Sequence, residues 1–393
     1  MTIAQLSPRI NLEQSRKQAK DLVKAFKAGD PKALNHIRWN HPRFRGLTDQ
    51  EIERRPFALA DAQLVIARLH SFDSWPKLLE HIKVLERRDP EVMRFEAAAD
   101  AIVSGDVEAL RRMLGEHPEL VDARSTRYQH APLLHYTAAN GIEGYRQKSP
   151  ANIVEVATVL LDAGAEVDAV SDAYGGGWTA LGLVATSTPP RLAGVQIPLM
   201  DLLLQRGAAI DGVQRDVTIV SGALANGCPE AARALVERGA KVEDVVTAAG
   251  VDRLDLVKRL GDKSTKTQLE QALVAAARYG WPEIVEYLLD RGVDITASDG
   301  MTALHAAAGR ADLEMTRMLI QRGAPLETLN QFGGTVLDGT LWFAYNTNPH
   351  DRVGRDYTAV IDILIAAGAR TDVYPKMESY IDEIYRRAGR DRA

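Results

Sequence analysis

TALHAAAGRADLEMTRMLIQRGAPLET, residues 302–328, contains two apolar patterns of helical spacing, one built on Ala and one on Leu, Met and Ile, closed by Gly323. A glycine there fits the position just past a helix, where a left-handed backbone is easiest without a Cβ. The second pattern and its glycine recur as IVEVATVLLDAGAEVDA (153–169), IPLMDLLLQRGAAID (197–211), EAARALVERGAKVED (230–244), EIVEYLLDRGVDITA (283–297) and AVIDILIAAGARTDV (359–373). From Gly164 the marks fall at 207, 239, 292, 323 and 368, at intervals of 43, 32, 53, 31 and 45. The interval of 53 divides if VVTAAGVDRLDLVKRLG (245–261) is a shortened unit.

Upstream of several marks lies the Ala-rich partner: PLLHYTAANG (132–141), TALGLVATS (179–187) and QALVAAARYG (271–280), with RFEAAADAIVSGDVEALRRML (94–114) as a degenerate first unit. This pattern resembles the ankyrin repeat, a unit of about 33 residues that opens T-P-L-H-x-A. The resemblance implies an all-α solenoid of about eight helix-pair units over residues 91–374. Small Ala residues let each first helix approach its neighbour, and the bulky second helices fill the layer between units. By the same resemblance Thr302 and His305 tie the hairpin turn to the first helix, and His135 occupies the equivalent position. Residues 375–393 read as a helix capping the last unit. Residues 1–90 are helical but off the repeat, with Ser74 before Trp75 and Pro76 forming a good helix start. An N-terminal helical module followed by repeats with long inserts resembles a group of bacterial ankyrin-repeat proteins of unassigned function.

Composition narrows the functional classes. The chain has 393 residues, 46% hydrophobic and 26% charged, with a formal charge of −5, an ordinary globular balance. Residues 1–90 carry 17 basic and 11 acidic side chains, and the remainder 31 and 42. An acidic, aromatic-poor repeat region argues against nucleic acid as a partner, which needs a basic stripe. No apolar run reaches the length of a membrane span and the N-terminus lacks a signal-peptide core, so a cytoplasmic protein, expected to be a monomer, is the reading. The single cysteine, Cys228, excludes an internal disulfide. No metal-ligand spacing, nucleophile elbow or phosphate loop is spelled out, so neither metal nor cofactor is expected. Gly175-Gly176-Gly177-Trp178 imitates a dinucleotide loop but lies at a repeat hairpin.

Consensus residues explain folding, so function is sought where the pattern breaks. Inserts follow Gly141 (142–152), Ser187 (188–196) and Trp342 (343–358). Around them stand Tyr128, Tyr136, Tyr174, Trp178, Asp338 and Trp342, which the resemblance places on the hairpin and first-helix side where partners bind. Tyr and Trp offer rigid contact area with a polar edge. The first reading is a recognition scaffold for a protein or peptide on that concave face. The alternative is a small-molecule pocket, with or without chemistry, at the second and third units under the first two inserts. There His130 or His135 would act as acid or base and Tyr145 or Arg146 would hold an anionic group. His350 and Asp338 are further acid–base candidates, with Asp338 considered as a carboxylate partner for His130.

Overall fold

The six repeat glycines share one conformation: Gly164, Gly207, Gly239, Gly292, Gly323 and Gly368 have φ between +82° and +100°, the left-handed region that ends a helix cheaply only when no Cβ is present. The structure is a computed structural model that describes residues 10–87, 89–213, 218–347, 354–373 and 377–390. Among them regular structure is helical, with three isolated bridges and no strand. The chain forms two compact units, Met1–Ala231 and Ala232–Ala393, the division falling within helix Pro229–Glu237.

The first unit opens with helices Leu12–Lys27, Pro31–Asn40, Asp49–Glu53, Leu59–Leu69 and Trp75–Glu86. They close on a core that includes Leu22, Leu34, Ile37, Phe44, Ile66 and Phe72. Ser74 caps the last of them, its hydroxyl accepting from Lys77 N at 3.5 Å, with Pro76 in the first turn as expected. Helix pairs then follow at Pro90–Ser104 with Val107–Glu116, Leu133–Ala138 with Ile153–Asp162, and Ala180–Ala185 with Gln196–Gln205; helix Ile219–Ala225 precedes the helix that carries the division. The second of these pairs departs from the pattern. Its first member is a 3-10 helix that starts after Pro132 without a side-chain cap and ends at Ala139, which has φ +51°.

The second unit holds pairs at Val245–Gly250 with Leu254–Gly261, Lys266–Tyr279 with Pro282–Asp290, Ala303–Gly309 with Leu313–Gln321, and Val336–Asn346 with Tyr357–Ala366. The short unit at 245–261 is therefore a complete helix pair. Thr302 and His305 form the expected tie. The Thr302 hydroxyl lies 2.8 Å from His305 Nδ1, and His305 Nε2 donates to the Gly334 carbonyl at 3.4 Å. Helix Met377–Arg387 covers the end of this unit with Met377, Ile381 and Tyr385 buried. Arg386 and Arg387 pair with Glu383, and Arg390 with Asp356.

Candidate functional site

The candidate residues of the second repeat separate into an inside and an outside group. Inside are Tyr136, at 0% exposure, and Arg146, at 2%. The insert after Gly141 folds into a 3-10 turn at Gly144–Arg146, and that turn carries Arg146 back onto helix Pro90–Ser104. There Arg146 Nη1 lies 2.8 Å from Glu96 Oε2 and its Nε donates to Asp100 Oδ1 at 2.8 Å. Glu96 also takes a bidentate fork from Arg127, a side chain 1% exposed. Arg127 Nε is 2.8 Å from Glu143 Oε1, its Nη2 donates to the Tyr145 hydroxyl at 3.2 Å, and the Tyr136 hydroxyl donates to Glu143 Oε1 at 3.0 Å. Two guanidiniums and two carboxylates thus neutralise one another in the interior, the arrangement that buried charge requires.

The electrostatics follow from that balance. Burial by itself would raise Glu96, but the Arg127 and Arg146 guanidiniums more than offset it and bring its pKa down to about 2. Burial pushes the Tyr145 hydroxyl up to about 12 and Tyr136 well above the ordinary phenol value. The same cluster joins the N-terminal helices to the repeats. The Arg127 guanidinium lies over the Phe72 ring, His81 Nδ1 is 3.0 Å from Thr126 Oγ1, and Tyr128 N donates to the Ser71 carbonyl at 3.1 Å. Arg146 is thus engaged on every side by acids of its own unit and presents no free charge to an anionic ligand.

His135 is fully buried. Its Nε2 donates to the Ala169 carbonyl at 2.8 Å, and burial pushes its pKa down to about 4, so near neutral pH it is a neutral hydrogen-bonding link out of reach of solvent. His130 lies outside, at a backbone φ of +45°. Its Nδ1 donates to Asp172 Oδ2 at 2.8 Å in an exposed pair. The carboxylate beside His130 is thus Asp172, whereas Asp338 belongs to the second unit and caps its own helix by accepting from Thr335 N at 2.9 Å. His350 lies outside the described residues.

Tyr128 and Tyr174 form the outside group, whereas Trp178, at 9% exposure, is turned inward onto Gly182 and Gly222. Tyr174, 60% exposed and at φ +52°, donates its hydroxyl to Asn140 Oδ1 at 2.7 Å and meets Trp178 edge to face with centroids 6.4 Å apart. Tyr174 and Trp178 border a concavity of about 430 Å³ whose remaining wall comes from Ala139, Asn140, Gln147, the 186–189 segment and Asn226. Both of the first two inserts reach it, through Gln147 and through Thr188 and Pro189. Neither His130 nor Arg146 lines it.

In the second unit Asp338 and Trp342 do come together, at a cavity of about 400 Å³ with walls from Met301, Phe332, Trp342 and Phe343. Phe343 is seated on Gly309, where an added Cβ would stand 2.7 Å from the ring. With Phe343 turned inward, Trp342, one residue earlier on the helix, faces out at 60% exposure. Phe332 at 83% and Leu329 at 60% extend the apolar surface. Asp338 Oδ1 is buried and has no hydrogen-bond partner among the described residues. Sequence reasoning missed Phe332, although a large apolar side chain inside the turn run NQFGGT (330–335) is a readable sign of an exposed contact residue. Among the described residues no group of three His, Cys, Asp or Glu side chains is placed to hold a metal ion, and no helix is long and apolar enough to cross a membrane.

Comparison with known proteins gives the repeats a family. Residues 245–330 match the model for ankyrin repeats (3 copies). The chain is 27% identical over 302 residues to the ankyrin repeat and KH domain-containing protein mask-1 of Caenorhabditis elegans, covering 72% of this chain and 10% of that protein. It is 38% identical over 69 residues to protein phosphatase 1 regulatory subunit 12A of Mus musculus, covering 17% of this chain and 7% of that one. The chain therefore spans a tenth or less of the length of these curated relatives. The crystal structure of the human ASB11 ankyrin repeat domain aligns with 21% identity and a TM-score of 0.31, covering 60% of this chain and 98% of that one. The chain carries ankyrin repeats in an all-α fold, and such repeats generally mediate protein–protein interaction.

Proposed function

We propose that this ankyrin-repeat chain is a recognition scaffold whose second compact unit holds a protein or peptide partner on the aromatic surface of Leu329, Phe332 and Trp342. The observation that carries the reading is the apolar cavity between Phe332 and Trp342 with an unspent carboxylate oxygen, Asp338 Oδ1, beside it. An exposed aromatic cluster of this kind is costly to leave in water and is the composition of binding hot spots. A lysine or arginine of the partner fits it best: the aliphatic stem lies against the rings, the cation sits over Trp342, and the charged end satisfies Asp338. The acidic excess of residues 91–393 favours the approach of a basic segment. A regulatory subunit among the relatives agrees with a role in holding a partner.

Selection of a random-peptide display library on the full chain tests the reading. Selected peptides should be enriched in Lys or Arg next to an apolar residue. Trp342→Ala should weaken them by about thirty-fold, the scale of one hot spot, without shifting the unfolding midpoint. Peptides that are neutral or acidic, or that bind equally well to Trp342→Ala, would overturn it.

A further inference from the structure

The concavity of the first unit is independent of that surface and differs from it in chemistry. Its volume of about 430 Å³ lies within the range of small-molecule sites, ~300–1,000 Å³. Amides come from Asn140, Gln147 and Asn226, hydroxyls from Thr186, Ser187 and Thr188, and no Lys, Arg, His, Asp or Glu is part of the wall.

Several of these groups are held rigidly. Asn140 donates to the Leu183 carbonyl at 3.3 Å and to Thr186 Oγ1 at 3.0 Å, while its Oδ1 accepts from the Tyr174 hydroxyl and from Gly141 N. The Trp178 indole is seated on Gly182 and Gly222, where added Cβ atoms would stand 2.9 and 3.5 Å from its ring. Two wall residues, Ala139 and Tyr174, hold left-handed backbone conformations that L side chains rarely adopt. One group is left unspent. Ser187, 1% exposed, precedes the short helix Thr188–Leu192 without capping it, and its hydroxyl has no hydrogen-bond partner among the described residues.

We infer that this concavity binds a neutral, polyhydroxylated ligand of mono- or disaccharide size. Amides and hydroxyls can both donate and accept, which matches a solute whose hydroxyls do the same. The exposed Tyr174 ring, backed edge to face by Trp178, supplies a flat apolar surface for the C–H face of a sugar ring. An anion or a cation would be desolvated here against no opposite charge, and a purely apolar ligand would leave the Ser187 hydroxyl buried and unsatisfied.

The test uses the full chain with glucose, N-acetylglucosamine and maltose as neutral probes and glucuronate and glucose 6-phosphate as charged ones, with saturation-transfer NMR reading contact. At least one neutral sugar should bind, and more tightly than both charged probes. Two variants probe the wall. Ser187→Ala removes the unspent hydroxyl, and Tyr174→Gly removes the ring while suiting the left-handed backbone. Each should weaken binding by about ten-fold, the scale of one ligand hydrogen bond or stacking contact, with the unfolding midpoint unchanged. Trp342→Ala should leave sugar binding intact, which separates this site from the recognition surface. Absence of contact with any neutral sugar, equal binding of glucuronate and glucose, or binding that survives both wall variants would overturn the inference.

Discussion

PLLHYTAA (132–139) and TALHAAAG (302–309) share the Leu-His step at the same place in the repeat and fold differently. The second is an α-helix started by the Thr302 cap; the first is an uncapped 3-10 helix after Pro132. Their histidines nevertheless do one job, Nε2 donating to a carbonyl about one repeat ahead, Ala169 in one and Gly334 in the other. The contrast begins at the next residue. Ala306 lies within an apolar layer, whereas Tyr136 points its hydroxyl into the Glu96, Arg127, Glu143 and Arg146 cluster. The histidine tie sets the hairpin whatever the helix type, and the residue after it decides whether the interior is greasy or charged.

The largest test of that contrast is to break the charged interior. Arg127→Ala leaves Glu96 and Glu143 buried without their main partner and should cost about 3–5 kcal/mol. Removing Arg278 from its part-exposed pair with Asp299 in the second unit should cost about 1 kcal/mol or less. Urea unfolding of both variants measures the difference, and similar losses would show that the two interiors are equivalent in energy.

Acid should separate the units next. Burial pushes His70, His81 and His135 down to about 4 from an ordinary 6.5. Below pH 6.5 the unfolded chain takes up protons that these folded imidazoles refuse, so stability falls as pH drops from 6.5 toward 4. Glu96, held at about 2 against an ordinary 4.5, adds a further loss between those two values. Each group fully titrated is an effect of about 3 kcal/mol at most. Hydrogen exchange at pH 7 and pH 5, corrected for intrinsic rates, should show the cluster segments of the first unit losing protection before residues 302–321. Simultaneous loss would contradict this.

Two smaller effects complete the series. Thr302→Val removes a cap and should destabilise the second unit by about 1–2 kcal/mol in urea unfolding; Pro132, with no cap to lose, offers no counterpart. Trp342→Ala, at an exposed position, should change stability by less than about 0.5 kcal/mol in the same assay. A large loss there would make the ring part of the core rather than of a contact surface.

Much of the architecture was readable because periodic features repeat at short range. The Gly series, the short pair at 245–261, the Ser74 start and the Thr302–His305 tie each involve neighbours along the chain or a fixed interval. The charged cluster was not readable. Glu96 and Arg127 are 31 residues apart and Glu96 and Arg146 are 50 apart, and spacing does not say which of many acids and bases will meet. Tyr136, Tyr145 and Arg146 therefore read as a binding face when they are an interior. His130 and Asp172 are a middle case, since their separation of 42 is close to one local repeat. Looking one unit ahead would have found the partner. Both concavities depend on which way Phe343, Trp178 and the insert turns face, and that is decided by packing on Gly309, Gly182 and Gly222.

The turn at Gly144–Arg146 makes the first insert a fastening rather than an ornament. Because Arg146 and Glu143 leave this loop to join the buried Glu96–Arg127 fork, trimming the loop toward a consensus unit would strip that fork of its supporting partners and leave one bare ion pair in the interior. Natural variants of this gene that shorten the segment should therefore also have exchanged the acid at 96 and the base at 127 for uncharged side chains, so that gain and loss of the loop travel as one inherited package.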